Sequence, residues 1–148
     1  MKREYPSAPM VGVGAIIVDE GRVVLVKRGH LPMLGEWSIP GGAVELGETV
    51  REAVIREARE ETGLEVEPVA LVGVFDRVIR EENGSVRFHY VLVDYYCRRV
   101  GGELCAGSDC DDARWFSPEE VAGVSLPKDT AEVVRLGFER AGGRTKLP

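Results

Sequence analysis

The apolar positions of this chain follow two periods in turn. "VGVGAIIVDEGRVVLVKR" (11–28) is a pair of β-branched runs around Asp19-Glu20-Gly21, the pattern of a hairpin. "EWSIPGG" (36–42) reads as a short strand entering a glycine loop. The period then becomes helical. Thr49 and Glu52 form a capping-box pattern, good helix formers follow, and Gly63 suits the left-handed position past a helix end. These signals predict a helix over 50–62. Strands are predicted over 65–80, with Pro68 near the start, and over 85–99, separated by the turn "EENG" (81–84). A loop is expected over 100–112 and a short strand over 113–116. Ser117-Pro118-Glu119-Glu120 opens a short helix, and 128–142 reads as an amphipathic helix. No repeat, linker or low-complexity tract interrupts the pattern. It predicts an α/β/α sandwich with a mixed β-sheet, in a single domain over 1–148.

The helix over 50–62 carries an unusual face. At about 100° per residue, Val50, Ala53, Val54 and Leu64 share one stripe. Arg51, Glu52, Arg56 and Arg59 turn away toward solvent. Glu57 and Glu61 fall on the apolar stripe, in the series 50, 54, 57, 61, and Glu60 lies beside them. Half of this face is apolar and half acidic. A glutamate-rich surface helix is the common explanation for such a segment. Its acids would not be expected to line up with Val50 and Val54, however. Crowded, half-buried carboxylates raise one another's pKa unless a cation neutralises them. Oxygen ligands at this spacing suit Mg²⁺ or Mn²⁺.

Bulk properties narrow the partners. The chain has 148 residues, 44% hydrophobic and 30% charged, and a net charge of −6. That length supports one domain with a real core. Basic runs go no further than Lys27-Arg28 and Arg98-Arg99, so no positive footprint for a nucleic acid polymer is present. No apolar run approaches the ~20 residues needed to span a bilayer, so no membrane partner is expected. "MKREYPSAP" lacks the apolar core of a signal peptide, and the expected location is cytoplasmic. Cys97, Cys105 and Cys110 include no CxxC pair and suit reduced thiols. His30 and His89 lie outside any zinc-ligand spacing.

The segment upstream of the acidic face extends the pattern. Gly42 is followed by Glu48, then by Arg56, Glu57, Ala58, Arg59, Glu60, Glu61, Thr62, Gly63 and Leu64. This resembles the Nudix hydrolase signature, and every fixed position matches. Chance agreement at one starting point is on the order of 10⁻⁸ at average residue usage. Ala58 stands where a bulkier aliphatic residue is usual. "WSIPGG" before the box and "ARWFSPEE" after it extend the likeness over most of the chain.

The resemblance implies metal-dependent hydrolysis of a nucleoside diphosphate linked to a further moiety, X. Mg²⁺ or Mn²⁺ would be the cofactor, held by Glu57, Glu60, Glu61 and the Gly42 carbonyl. Glu57 and Glu60 would take part in catalysis, with Arg56 pairing to Glu48 and orienting Glu57. Family members often place a late acidic loop residue over the metals. "GSDCDDARW" offers Asp109, Asp111 and Asp112, and counting back from Trp115 favours Asp109. Arg28, at a strand end leading toward the site, is a candidate phosphate ligand. Trp37 is a candidate to flank a base, set against a core role.

The expected partner is a small-molecule nucleotide, and a homodimer is left open as a quaternary state. Subfamily cues are sparse. The downstream proline of many ADP-ribose hydrolases and the tyrosine of dinucleoside polyphosphate hydrolases have no counterpart in "VIREE" (78–82). The motif of coenzyme A hydrolases is absent before the box. "FHYVLVDYYC" (88–97) resembles small ADP-ribose-type and nucleotide-cleaning members. The expected substrate is ADP-ribose, cleaved to AMP and ribose 5-phosphate. The alternatives are a (d)NTP pyrophosphohydrolase and a non-catalytic nucleotide-binding regulator. A structural metal-binding module is a third class, which would unfold on chelation.

Overall fold

A computed structural model describes residues 3–29, 33–105 and 110–143. The elements run β1 (Met10–Asp19), β2 (Arg22–Arg28), β3 (Trp37–Ser38), β4 (Gly41–Ala43), α1 (Val50–Thr62), β5 (Leu64–Arg80), β6 (Val86–Gly102), β7 (Cys110–Phe116), α2 (Pro118–Ala122) and α3 (Lys128–Gly143). The main path of the sheet is β3-β2-β1-β6-β5, with β4 joined to β1 and β7 to β2. β1 and β6 are parallel, from Met10 opposite Tyr90 to Ile17 opposite Cys97. The other pairings are antiparallel, so the sheet is mixed.

The alternation of β1 explains the two helical layers. Val13, Ala15 and Ile17 pack with Ala53, Val54 and Ala58 of α1. Ile16 and Val18 point the other way and pack with Val133 and Val134 of α3. Burial on both faces is why β1 reads as a continuous apolar run. The β1–β2 turn places Glu20 at φ 51° and Gly21 at φ 76°. Two positive φ values suit the twist of a tight hairpin.

Helix α1 matches its predicted limits. The Thr49 hydroxyl accepts from the Glu52 amide at 3.1 Å, and the Glu52 carboxylate accepts from the Thr49 amide at 2.8 Å. Gly63 closes the helix at φ 78°, its amide donating to the Arg59 carbonyl. No helix among the described residues is long and apolar enough to cross a membrane.

Two expectations need correction. The short strand entering a glycine loop expected over 36–42 is two short strands, the second formed by the glycine segment itself. β3 pairs with β2 and β4 pairs with β1, and the chain crosses between them at Ile39-Pro40. Pro40 has no amide to give, but its carbonyl accepts from the Ala15 amide at 2.8 Å. The loop expected over 100–112 is shorter at both ends, because β6 runs on to Gly102 and β7 begins at Cys110. Pairing along β2 accounts for the early start of β7, with Cys110 opposite Arg28 across a register shift. Local sequence signals do not carry such a long-range template.

Candidate active site

The site forms where α1 faces the Gly41-Gly42 edge of β4. Glu57 and Glu61 are one turn apart and only 8% and 5% exposed. The Gly41 amide donates to Glu61 Oε1 at 2.6 Å, which ties the helix to the strand. Both glycines are required by close approach. A Cβ on Gly42 would lie 2.7 Å from Glu57 Oε1 and 2.6 Å from its Cδ. A Cβ on Gly41 would overlap the Val13 carbonyl.

Arg56 is the organiser. The face pattern predicted that it turns to solvent, but its side chain is only 20% exposed. It folds back because Glu48 and the Ala43 carbonyl offer it acceptors. Nε donates to Glu48 Oε2 at 2.6 Å and Nη2 to Glu48 Oε1 at 2.9 Å, a bidentate fork. Nη2 also donates to the Ala43 carbonyl at 3.0 Å. Nη1 donates to Glu57 Oε1 at 2.9 Å and to Glu60 Oε1 at 3.1 Å. One guanidinium therefore fixes the loop before the helix and two acids on it. The same hydrogen bonds hold Glu48 below the usual carboxylate range and raise the pKa of Arg56, keeping it charged.

These residues border a cleft that continues across the sheet. Glu57, Glu61, Gly42 and Arg28 line it. Burial lowers the pKa of Arg28, and the charge of Glu61 opposes that shift. Glu60 is not part of the lining; its side chain is 50% exposed and stands at the rim beside Arg56. Trp37 does not reach the cleft. It meets Phe116 edge-on at 5.2 Å between centroids, with the Arg114 guanidinium 5.5 Å from its ring. The geometry favours the core role for Trp37. Asp109 lies outside the described residues, and Asp112 is paired with Arg114 at 2.7 Å.

The donor set suits a hard divalent cation. Two buried carboxylates and the glycine-edged strand supply only oxygen. Among the described residues no three His, Cys, Asp or Glu side chains form a metal-holding group by themselves. A Mg²⁺ ion needs fewer, because it keeps several waters and takes only one or two carboxylates.

Several cleft residues have no place in the sequence motif. Arg3, Phe75, Arg77, Asp94 and Asp129 all line it. Arg77 Nη2 donates to Asp129 Oδ2 at 2.5 Å, joining β5 to α3. Asp94 is 4% exposed, and burial pushes its carboxyl up to about 7. The signal that could have found it is a lone acid inside the apolar run "YVLVDYYC" of β6. Arg3 offers no local signal, since it stands in no periodic segment.

Comparison with known proteins identifies the family. The family described as NUDIX domain matches residues 8–136. An ADP-ribose pyrophosphatase of Methanocaldococcus jannaschii is 41% identical over 108 residues, which is 73% of this chain and 62% of that protein. This chain thus covers less than two thirds of that relative's length. The crystal structure of a MutT NUDIX hydrolase from Burkholderia pseudomallei superposes with a TM-score of 0.70 at 34% identity, covering 90% of this chain and 98% of that one. An ADP-ribose pyrophosphatase structure from Streptococcus suis gives 0.64 at 28% identity, covering 90% and 92%. With the acidic helix, the glycine edge and the arginine fork all in place, the chain belongs to the Nudix hydrolase family.

Proposed function

We propose that the protein is a Mg²⁺- or Mn²⁺-dependent pyrophosphohydrolase that cleaves ADP-ribose between its phosphates to AMP and ribose 5-phosphate. The observation that carries the reaction class is the buried Glu57–Glu61 pair facing the Gly41-Gly42 edge, with Arg56 holding Glu57 in place. The substrate rests on the relatives from Methanocaldococcus jannaschii and Streptococcus suis, both named as ADP-ribose pyrophosphatases.

A pyrophosphate is polyanionic and kinetically inert. A divalent ion on Glu57, Glu61 and the Gly42 carbonyl would supply charge neutralisation and a more acidic water. In the reaction, water oxygen bonds to one phosphorus, the bridging P–O bond breaks, and the bridging oxygen leaves on the other phosphate. The chain's own contribution is placement. Arg56 fixes the Glu57 carboxylate, so its orientation is set before substrate arrives. Arg28, half-buried in the same cleft, supplies positive charge for phosphate oxygens. Glu60 at the rim is held by Arg56 through one oxygen and serves as a proton acceptor or a further ligand. Asp109 is the proposed general base outside the helix, on which Asp109→Asn should lower kcat more than Asp111→Asn or Asp112→Asn.

The test compares kcat/KM for ADP-ribose, dGTP, 8-oxo-dGTP, dCTP and diadenosine tetraphosphate at matched Mg²⁺, with products identified. ADP-ribose is expected to lead, giving AMP and ribose 5-phosphate. A triphosphate ahead by tenfold would overturn the substrate and leave the reaction class standing. No turnover of any compound with either metal would favour a nucleotide-binding regulator.

A further inference from the structure

The inner end of the cleft holds a carboxylate that the chemistry of the metal end does not use. Asp94 lies mid-strand on β6, opposite Gly14 of β1, and Gly14 in turn lies opposite Gly41 of β4. The three residues form a row across the sheet. Two strand spacings separate Asp94 from the glycine edge, roughly 10 Å at the usual interval between strands, a span that a nucleoside can bridge. Gly14 keeps the row open. A Cβ there would lie 2.5 Å from Ile39 Cδ1 and would overlap the Asp94 carboxylate.

The surroundings of Asp94 are those of a recognition pocket. Ile39, Phe75, Leu92 and Val133 give apolar walls, and Ser38 and Thr130 add hydroxyl-bearing residues. Among the described residues no protein group donates a hydrogen bond to Asp94. Its nearest cation, Arg77, is engaged by Asp129 at 2.5 Å. Arg77 and Asp129 act on Asp94 only through their charges, in opposite senses. No fully enclosed side-chain oxygen or nitrogen in the described structure lacks a partner. The carboxyl oxygens of Asp94 are therefore still reached from the cleft. An acid kept in an apolar pocket without a protein donor is costly, and a ligand that donates to it relieves that cost. An apolar cleft with one placed polar group selects a flat ring with a polar edge.

We infer that Asp94 is a specificity-determining residue that accepts a hydrogen bond from the exocyclic amine of a nucleobase seated against Phe75, with the phosphates directed toward Glu57 and Glu61. This inference rests on the proposed hydrolysis of a nucleoside diphosphate derivative and names which part of the substrate lies inward. A base without an exocyclic amine leaves the Asp94 acceptor unpaired and binds less well.

The experiment uses two readouts. Binding of AMP and IMP is measured by calorimetry in Mg²⁺ for the wild type, Asp94→Ala and Asp94→Asn. The hydrolysis of ADP-ribose and its hypoxanthine counterpart is measured in parallel. The wild type is expected to favour the adenine compounds by about tenfold or more in both readouts. Asp94→Ala is expected to bring the ratio within about twofold while hydrolysis persists. Asp94→Asn keeps an acceptor of the same shape and should retain part of the preference, and it is the reference if Asp94→Ala does not fold. An unchanged ratio in both variants overturns the inference and leaves the proposed reaction intact. Failure of the wild type to prefer AMP over IMP, or to bind either at millimolar concentration, also overturns it. If AMP binds with the expected preference but ADP-ribose is not hydrolysed, the pocket stands and the proposed function falls.

Discussion

The two ends of the cleft are built in opposite ways. At the outer end, Glu48, Arg56, Glu57, Glu60 and Glu61 come from one loop and helix; Arg56 ties Glu48, Glu57 and Glu60 together with four hydrogen bonds, and the Gly41 amide holds Glu61. At the inner end, Phe75, Asp94 and Asp129 come from three separate elements brought together by the β5–β6 register and the docking of α3. The outer end is dense in partnered charge. The inner end has one salt bridge between Arg77 and Asp129 and an acid with no protein donor. A local, cross-braced cluster can hold reacting groups rigidly, which rate requires. A pocket walled by several elements can change one wall at a time, which suits selection of a substrate.

The largest effect should come from the outer end. Glu57→Gln and Glu61→Gln should each lower kcat by roughly 10²-fold or more at saturating metal while the fold persists. Each substitution removes a buried negative charge facing the glycine edge. Circular dichroism and a product assay on the same samples check this. Near-wild-type rates in either variant would break the assignment of the outer end to chemistry.

Arg56→Ala should act next. Glu48 loses its fork and Glu57 its anchor, so activity should fall by about 10–100-fold. Glu48 and Glu57 are both largely buried and would be left without their cation, so stability should fall as well, by about 3 kcal/mol. A denaturation curve reads the second effect. Loss of stability with full activity would mean that Arg56 braces the loop and does not orient Glu57.

The mildest effect concerns pH at the inner end. Asp94 has its carboxyl raised from an ordinary 3.8 to about 7, by burial first, with Arg77 opposing and Asp129 reinforcing. The folded state therefore holds a proton that the unfolded chain has already released. This contribution to stability is complete below 3.8 and is lost as pH rises through about 7. In Asp94→Asn that loss should vanish. The stability of the variant relative to the wild type should grow between pH 5 and pH 8, by an amount urea titrations can resolve. A pH-independent difference would contradict the burial of an ionisable Asp94.

The same contrast explains what the sequence made legible. Helix α1 was readable to its ends because Thr49, Glu52 and Gly63 act within a few residues of where they stand. The inward turn of Glu57 and Glu61 followed from helical spacing against Val50 and Val54. The fold class followed from the order of periods, and the split of 36–42 into two strands did not, because each half pairs with a different distant strand. Helical angle alone turns Arg56 toward solvent, but the pairing with Glu48 implied by the motif is what the structure shows, because the long side chain curls back to that acceptor on the preceding loop. For Trp37 the sequence leaves a base-flanking ring and a core residue as alternatives, with the core role favoured, and packing against Phe116 and Arg114 bears out the core role. Asp94 shows in the sequence only as a lone acid in an apolar run, because its neighbours, Gly14 and Ile39, are remote in sequence and the β1–β6 register brings it to the cleft.

The proposed reaction requires Glu57 and Glu61 to hold a divalent ion at the glycine edge. Mn²⁺ binding is followed by electron paramagnetic resonance on the wild type and on a Glu57→Gln/Glu61→Gln double variant of unchanged fold. Binding to the wild type should be saturable, and the affinity of the double variant should be at least about tenfold weaker, since two charged oxygen ligands are lost. Equal affinity in the two proteins would contradict it.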